Sequence, residues 1–317
     1  MEKLDIQYST IIPVYKNEES IPRLFQALEE LSQSLEYVME VVFVVDGSPD
    51  KSYQLIKDNM DSATFPVQLI GHSRNFGSFP AIRTGLKAAQ GNYFGVIAAD
   101  LQEPISLLEG FFDSLQSDEC DVALGRRESR KDAKLDSLYS NLFWWAYRKF
   151  ILPEMPAGGV DVFGCNQTFR DQLLQLEEAH SSLISLVFWL GFRRKEIPYE
   201  RLERQEGKSS WTFSKKFEYM MDSIFAFTNL PVKFLLRTGL LGLIGCVGLS
   251  IYILVGRLSG AIDVSGYSTT MIVILSLGSL NLLGLGVVGS YAWRTFENSK
   301  ARPLSITSTS TLSKHYE

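Results

Sequence analysis

Polar residues with chemical potential recur where short apolar runs stop. The run QYSTIIPVY leads into Pro13, Tyr15 and Glu18, and EVVFVVD ends on Asp46-Gly47-Ser48. VQLIGHS is followed by Arg74 and Asn75, YFGVIAA by Asp100-Leu101-Gln102, and DVALG by Arg126 and Arg127. Arg130, Asp161, Arg201, Arg204 and Ser209 follow further along. Carboxylates at strand ends, without a Gly-rich phosphate loop, suit a hard cation that takes oxygen ligands and bridges phosphate oxygens. No GxGxxG follows the first strand, which leaves a dinucleotide site without support, and no P-loop pattern occurs. The three cysteines and three histidines are scattered, so neither a disulfide framework nor a Cys-based zinc site is expected.

The elements that position these residues alternate. After the first strand, a helix pattern runs from about Glu18 to Ser34, then comes the near-continuous apolar strand EVVFVVD, typical of a strand buried on both faces. A helix over Asp50–Met60, the strand VQLIGHS, a helix over Ser78–Gln90, the strand YFGVIAAD, a helix opening at Pro104 and the strand DVALGRR complete the series. This βαβ order predicts an α/β domain with a parallel sheet and helices on both faces. Ligands of such sheets bind outside the carboxyl ends of the strands.

Composition changes beyond residue 231. Residues 238–256 and 270–293 carry no charge and have the length of membrane spans. Lys233 and Arg237 precede the first run, and Arg294, Lys300 and Arg302 follow the second. The positive-inside bias puts both ends in the cytoplasm. The start MEKLDIQYST has no apolar run behind basic residues, so no cleavable signal is expected. Small residues at spacing four (Gly242, Cys246 and Ser250; Gly286 and Ser290) suit close helix packing, between the two spans or between protomers of a homo-oligomer. Phe213, Phe217, Met220, Met221, Ile224 and Phe225 share one helical face, which suits the membrane interface or docking on the domain. The expected organisation is a cytoplasmic α/β domain over 1–212, an amphipathic juxtamembrane helix over 213–231, two transmembrane helices within 232–295, and a disordered Ser/Thr-rich tail over 296–317. The net charge of −5 argues against a nucleic-acid partner.

PVYKNEES, VVDGS, RNFG, AADLQEP, the Arg126-Arg127 pair and RxxRxxGKSSW occur in that order ahead of the two apolar runs. In this the chain resembles the polyisoprenyl-phosphate glycosyltransferases of glycosyltransferase family 2, over about residues 6–295. The group includes bactoprenol glucosyltransferases, dolichol-phosphate mannose synthases and enzymes that load aminoarabinose. The resemblance implies a GT-A (Rossmann-like nucleotide-diphospho-sugar transferase) domain. It implies inverting transfer of a hexose to polyprenyl phosphate at the cytoplasmic face of the cell (inner) membrane, with Mg²⁺ or Mn²⁺. UDP-glucose is the first donor it suggests, with GDP-mannose or UDP-aminoarabinose as alternatives. Two departures stand out: Val45 and Ala98 occupy positions where the family usually has acids. A catalytically degenerate membrane scaffold that binds nucleotide-sugar is the reading of another class.

The resemblance also implies roles, which compete with structural ones. Pro13, Tyr15 and Glu18 would line the base pocket, although Glu18 also suits a helix N-terminus. Asp46 would bind base or ribose, or cap the turn that Asp-Gly favours. Arg74 and Asn75 would contact the nucleotide or cap a helix. Asp100, with Gln102, would hold the metal. Asp161 resembles the catalytic acidic residue. A full general base is not obligatory, because a phosphate monoester is mostly dianionic at pH 7. Arg127, Arg130, Arg201 and Arg204 would hold the lipid phosphate, which guanidinium groups bind bidentately. Ser209 and Trp211 fit the family's mobile loop, with Ser210 in place of its Lys.

Overall fold

The computed structural model describes residues 5–127, 148–149, 152–156, 159–178, 181–202, 221–259 and 266–316. The chain divides into two compact units: Met1–Phe217 with Pro303–Glu317, and Glu218–Arg302.

In the first unit the expected alternation is present: β1 (Ile6–Val14), α1 (Ile21–Ser34), β2 (Val38–Val45), α2 (Ser52–Asn59), β3 (Val67–His72), α3 (Ser78–Ala88), β4 (Tyr93–Val96), α4 (Ser106–Gln116) and β5 (Val122–Arg127). Then come β6 (Val160–Asn166), α5 (Gln167–Gln175), α6 (Leu183–Trp189) and β7 (Arg194–Tyr199). The sheet order is β7-β5-β6-β4-β1-β2-β3-β8, where β8 (Thr307–Leu312) comes from the far end of the chain.

The sheet is mixed, not wholly parallel as the alternation predicted. β6 pairs antiparallel with both β4 and β5, and β8 pairs antiparallel with β3. Alternation of helix and strand along the chain does not by itself set strand direction; pairing partners do. β2 is buried along all but its first residue and β3 throughout, which explains their unbroken apolar character. Residues of α1, α2 and α4 join one core with Phe43, Val41 and Leu69. α3 packs against β1, β2 and α5.

Strand direction gathers the candidate residues. β1 to β5 and β7 run one way, so their carboxyl ends share one rim of the sheet. β6 and β8 run the other way and bring their first residues to the same rim.

The tail expected to be disordered is instead ordered over Thr307–Leu312 as β8, followed by a short 3₁₀ turn at Lys314–Tyr316. Its Ser/Thr composition misled because strand pairing, not side-chain burial, holds it. Ser310 opposes Ile70 and Leu312 opposes Gln68, and β8 covers the otherwise open edge of β3. Ser313 anchors its end: its N–H donates to Val67 O (2.9 Å), and its Oγ accepts from Val67 N (3.0 Å).

The second unit contains α7 (Leu230–Leu258) and α8 (Tyr267–Ser299). Among the described residues one helix, over Leu230–Leu249, is long and apolar enough to cross a membrane. Its large apolar side chains, including Leu236, Leu240, Leu241 and Ile244, are exposed. Of the amphipathic segment, residues 213–220 lie outside the described residues. Residues 221–227 are helical and meet α8 through the Asp222–Arg294 ion pair (2.7 Å) and the Phe225–Tyr291 ring contact. At Gly242 an added Cβ would lie 4.0 Å from Leu280, an ordinary contact, so that glycine is not required for close approach.

Candidate active site

Two clusters occupy the carboxyl rim. The first joins the loops after β1, β2 and β3. The Ser48 hydroxyl accepts from Lys16 N (2.8 Å) and donates to Asp50 (2.6 Å). Asp50 also accepts from Glu18 N (3.1 Å) and from the Ser52 hydroxyl (2.8 Å). Burial works against the Asp50 charge, yet the Ser48 and Ser52 hydrogen bonds hold its carboxyl below the usual range. Glu18 in turn accepts from Lys51 N (2.9 Å) at the start of α2, the helix-terminal use of that acid. Pro13 is half-buried, and Tyr15 is exposed on this rim.

Asp46 is placed differently from its expected ligand-facing role. Its side chain is buried, and its bonds run into the protein. Oδ1 accepts from Phe76 N (2.9 Å) and meets His72 Nδ1 (2.8 Å), while Oδ2 accepts from Gly77 N (2.7 Å). The carboxylate therefore pins the 73–77 loop at the start of α3. That leaves Arg74 and Asn75 exposed, with the Arg74 guanidinium 4.0 Å from the Phe76 ring centroid. Gly47 makes this packing feasible. Its φ is +58°, and a Cβ there would fall 2.3 Å from Arg74 C and 2.5 Å from Asn75 N.

The second cluster lies across β1, where the strand order reverses direction away from β2 and β3 toward β4, a position favoured for ligands. Ser20 Oγ donates to Ala99 O (2.8 Å), tying α1 to the turn after β4. Within that turn Leu101 has φ +54°, a costly conformation for a γ-branched side chain. Asp100 is half-buried beside it, and Gln102 N donates weakly to Asp100 Oδ1 (3.4 Å). Gln102 Oε1, expected as a metal ligand, instead accepts from Arg201, and the Gln102 carbonyl accepts from Leu202 N (2.8 Å).

Glu103, which the sequence reading passed over, is 2% exposed and is the most perturbed acid here. Burial first, then Asp100 and Asp161, push its carboxyl up to about 7, against the pull of Arg201 and Arg127. Its Oε2 has no hydrogen-bond partner among the described residues. Arg127, at the end of β5, pairs with Asp161 near the start of β6. Burial opposes the Arg127 charge, but Asp161, Tyr199 and Glu103 raise it above its ordinary value. Tyr199 lies opposite Arg127 in the β5–β7 register. Burial, then Asp161 and Glu103, push the Tyr199 phenol up to about 12. Arg130, Arg204 and Ser209 lie outside the described residues.

The rim thus offers carboxylate oxygens from Asp100 and Glu103 beside Arg127 and Arg201, which are held by Asp161 and Gln102. Among the described residues no cluster of three or more His, Cys, Asp or Glu closes around a cation without help. The orphaned Glu103 oxygen and the Asp100 carboxylate fit a hard divalent ion that draws its remaining ligands from a diphosphate and water. Asp50 was missed because it sits just past Asp46-Gly47-Ser48, Glu103 because Asp100 and Gln102 of the same AADLQEP run took the metal role, and Tyr199 because it precedes the Arg201–Trp211 motif. The Arg127–Tyr199 register was visible only once β5 and β7 were paired.

A mixed sheet with acids and arginines gathered on its carboxyl rim defines a nucleotide-diphospho-sugar transferase fold of GT-A type. Residues 9–175 match the family described as Glycosyl transferase family 2, and the chain belongs to that family and is a glycosyltransferase. It is 32% identical to the putative glycosyltransferase CsbB of Bacillus subtilis, over 93% of this chain and 89% of that protein. It is 27% identical to the bactoprenol glucosyl transferase of Shigella phage SfV, over 94% of this chain and 97% of that one. A solved structure of glucosyl-3-phosphoglycerate synthase from Mycobacterium tuberculosis, in complex with Mn²⁺, UDP-glucose and phosphoglyceric acid, shares the fold. The TM-score is 0.52 at 11% identity, over 69% of this chain and 79% of that one.

Proposed function

We propose that this glycosyltransferase moves a hexose from a nucleotide diphosphate to polyprenyl phosphate, at the cytoplasmic face of the cell membrane, with inversion at the anomeric carbon. UDP-glucose is the donor that the bactoprenol glucosyl transferase likeness favours. The observation that carries the reading is the Arg127–Asp161–Tyr199–Arg201 group on the rim beside Asp100, in a chain that also bears an exposed apolar helix of membrane-crossing length.

The nucleotide lies along the loops after β1, β2 and β3, against Pro13, Tyr15, Arg74 and Asn75. Asp46 holds the loop that presents Arg74 and Asn75. Asp100 and Glu103 would hold Mg²⁺ or Mn²⁺, which would neutralise charge on the departing nucleoside diphosphate, while Gln102 holds Arg201. Arg127 and Arg201 receive the acceptor phosphate, with Arg130, Arg204 and Ser209 as further contacts. Asp161 keeps Arg127 in place and orients the sugar hydroxyls. The acceptor dianion is itself the nucleophile: its oxygen attacks the anomeric carbon as the bond to the diphosphate breaks, and no proton must leave it first.

Chain topology supports anchorage by a helical hairpin. The chain leaves the first unit after Phe217 and re-enters it at Pro303. A crossing by α7 must therefore be reversed before β8 can pair with β3, and α8 is the segment available to do so. Lys233 and Arg237 at one end and Arg294, Lys300 and Arg302 at the other favour a cytoplasmic location for both.

The test is product formation by purified full-length protein with undecaprenyl phosphate and each candidate donor. Hexosyl-lipid phosphate from one donor, lost in Arg127→Ala and Asp100→Asn, is expected. Unchanged synthesis in both variants overturns these roles. Nucleotide binding without metal dependence and without product from any donor favours the scaffold.

A further inference from the structure

The tail does more than cover an edge. Ile306 O accepts from Ser73 N (2.9 Å), the residue before Arg74. Ser308 Oγ donates to Gly71 O (2.9 Å). Ser305 Oγ lies 2.8 Å from Thr84 Oγ1, and Thr84 Oγ1 lies 2.9 Å from His72 Nε2. His72 Nδ1 reaches the same Asp46 carboxylate that receives the Phe76 and Gly77 amides.

A neutral His72 ring beside an ionised Asp46 gives the donors along this line one order. An ionised carboxylate only accepts, so His72 Nδ1–H donates to Asp46. In the neutral ring Nε2 then accepts, so the Thr84 hydroxyl donates to it. The Thr84 oxygen is left to accept from Ser305. His72 is 5% exposed and Asp46 2%, so water competes little along the inner half of the line. Leu304 and Phe76 also face one cavity of about 250 Å³, lined in part by Gly77 and Arg83.

We infer that Thr84 and Ser305 are positioning residues for the donor nucleotide: through His72 and Asp46, the tail that follows α8 fixes the 73–77 loop in the geometry that presents Arg74 and Asn75. The inference rests on the reading of that loop as the nucleotide contact. It makes the donor site a joint product of residues near position 46, residues 72–84 and residues 305–306, distant in sequence but adjacent on the rim. Neither Thr84 nor Ser305 touches the nucleotide in this arrangement.

The experiment uses full-length protein in detergent, with Thr84→Val, Thr84→Ser, Ser305→Ala and Arg74→Ala. Hydrogen exchange is read on peptides covering 73–77, with 93–96 as internal reference. UDP and GDP are each titrated in Mn²⁺. Thr84→Val removes a donor and an acceptor at nearly constant volume, and one buried hydrogen bond is worth about fivefold. It is expected to speed exchange at 73–77 by about 5- to 10-fold and to weaken binding of the preferred nucleotide by a similar factor, with exchange at 93–96 unchanged. Ser305→Ala is expected to act in the same direction but less, and Thr84→Ser to restore both readouts. KM for the donor rises while kcat at saturating donor holds. If Thr84→Val and Ser305→Ala both leave exchange and binding within twofold of wild type while Arg74→Ala weakens binding, the positioning role is overturned and the loop reading stands. If Arg74→Ala leaves binding unchanged, the loop reading itself fails, and exchange at 73–77 still reports whether the tail holds the loop. A Thr84→Ser variant that fails to restore either readout also overturns the role.

Discussion

Replacing Asp46 separates two uses of one carboxylate. In the sequence it suits a nucleotide contact; in the structure it accepts from Phe76 N, Gly77 N and His72 at 2.7 to 2.9 Å while 2% exposed. Hydrogen bonds to an ionised acceptor contribute about 1.5–3 kcal/mol each. The Phe76 and Gly77 amides belong to half-buried residues and can turn toward water, so the full sum is not lost. Asp46→Ala is expected to destabilise the first unit by about 3–4 kcal/mol, which lowers its thermal midpoint by roughly 6–16 °C. Asp46→Asn keeps one oxygen for Oδ1's partners but sets an NH₂ against the Gly77 N–H. Its expected cost is about half as large. The assay is a thermal melt of detergent-purified protein at one scan rate, with and without nucleotide, beside a nucleotide titration. Both variants should melt earlier even without nucleotide, and both should bind more weakly. A midpoint for Asp46→Ala within about 2 °C of wild type, with binding abolished, would refute the loop-pinning account and return Asp46 to direct ligand contact.

Gly47→Ala forces a Cβ to within 2.3 Å of the Arg74 backbone at φ +58°, and a loss of about 2–4 kcal/mol is expected in the same melt; wild-type stability would contradict the close approach of the two loops. Arg127→Ala should slow sugar transfer by about 100-fold, and Arg127→Lys should recover only part of it, because an ammonium lacks the planar fork; full recovery with Lys would reduce the residue to a point charge. With its phenol at about 12 against an ordinary 10, Tyr199 stays protonated in the folded state while the unfolded chain ionises. Its effect on stability is absent below about pH 10, and stability falls between about pH 10 and 12. Ultraviolet titration of wild type minus Tyr199→Phe should show one phenolate appearing near 12, and a difference centred near 10 would contradict its burial beside Arg127 and Asp161.

Much of the fold was legible because its signals are local. The apolar run EVVFVVD, the helix pattern ending at Ser34 and the polar stops after each strand became β2, α1 and the rim loops close to where they were expected. Strand direction was less legible: β6 and β8 reverse because of pairings between distant segments, and no local residue signals that. β8 was hidden most completely, since TSTSTL has no apolar face and is ordered only by the open edge of β3. At the site, residue types pointed correctly to the rim but not to their partners. Asp46 faces inward because Gly47 lets the 74–75 backbone close over it, Gln102 is bound to Arg201 from 99 positions away, and His72 links that carboxylate to the tail through Thr84. Val45 and Ala98 differ from the family's usual acids, yet Glu103 places a buried carboxyl three residues beyond Asp100, close enough for Asp100 to raise its pKa.

The most direct measurement is mass spectrometry of lipid products after purified full-length protein is incubated with undecaprenyl phosphate and Mg²⁺ or Mn²⁺, with UDP-glucose, GDP-mannose and UDP-aminoarabinose supplied separately. Undecaprenyl-phosphate hexose from UDP-glucose, abolished by chelator and restored by added metal, is the predicted result. Absence of any glycosylated lipid from all three donors, while nucleotide binding persists, would contradict the assignment of polyprenyl phosphate as acceptor.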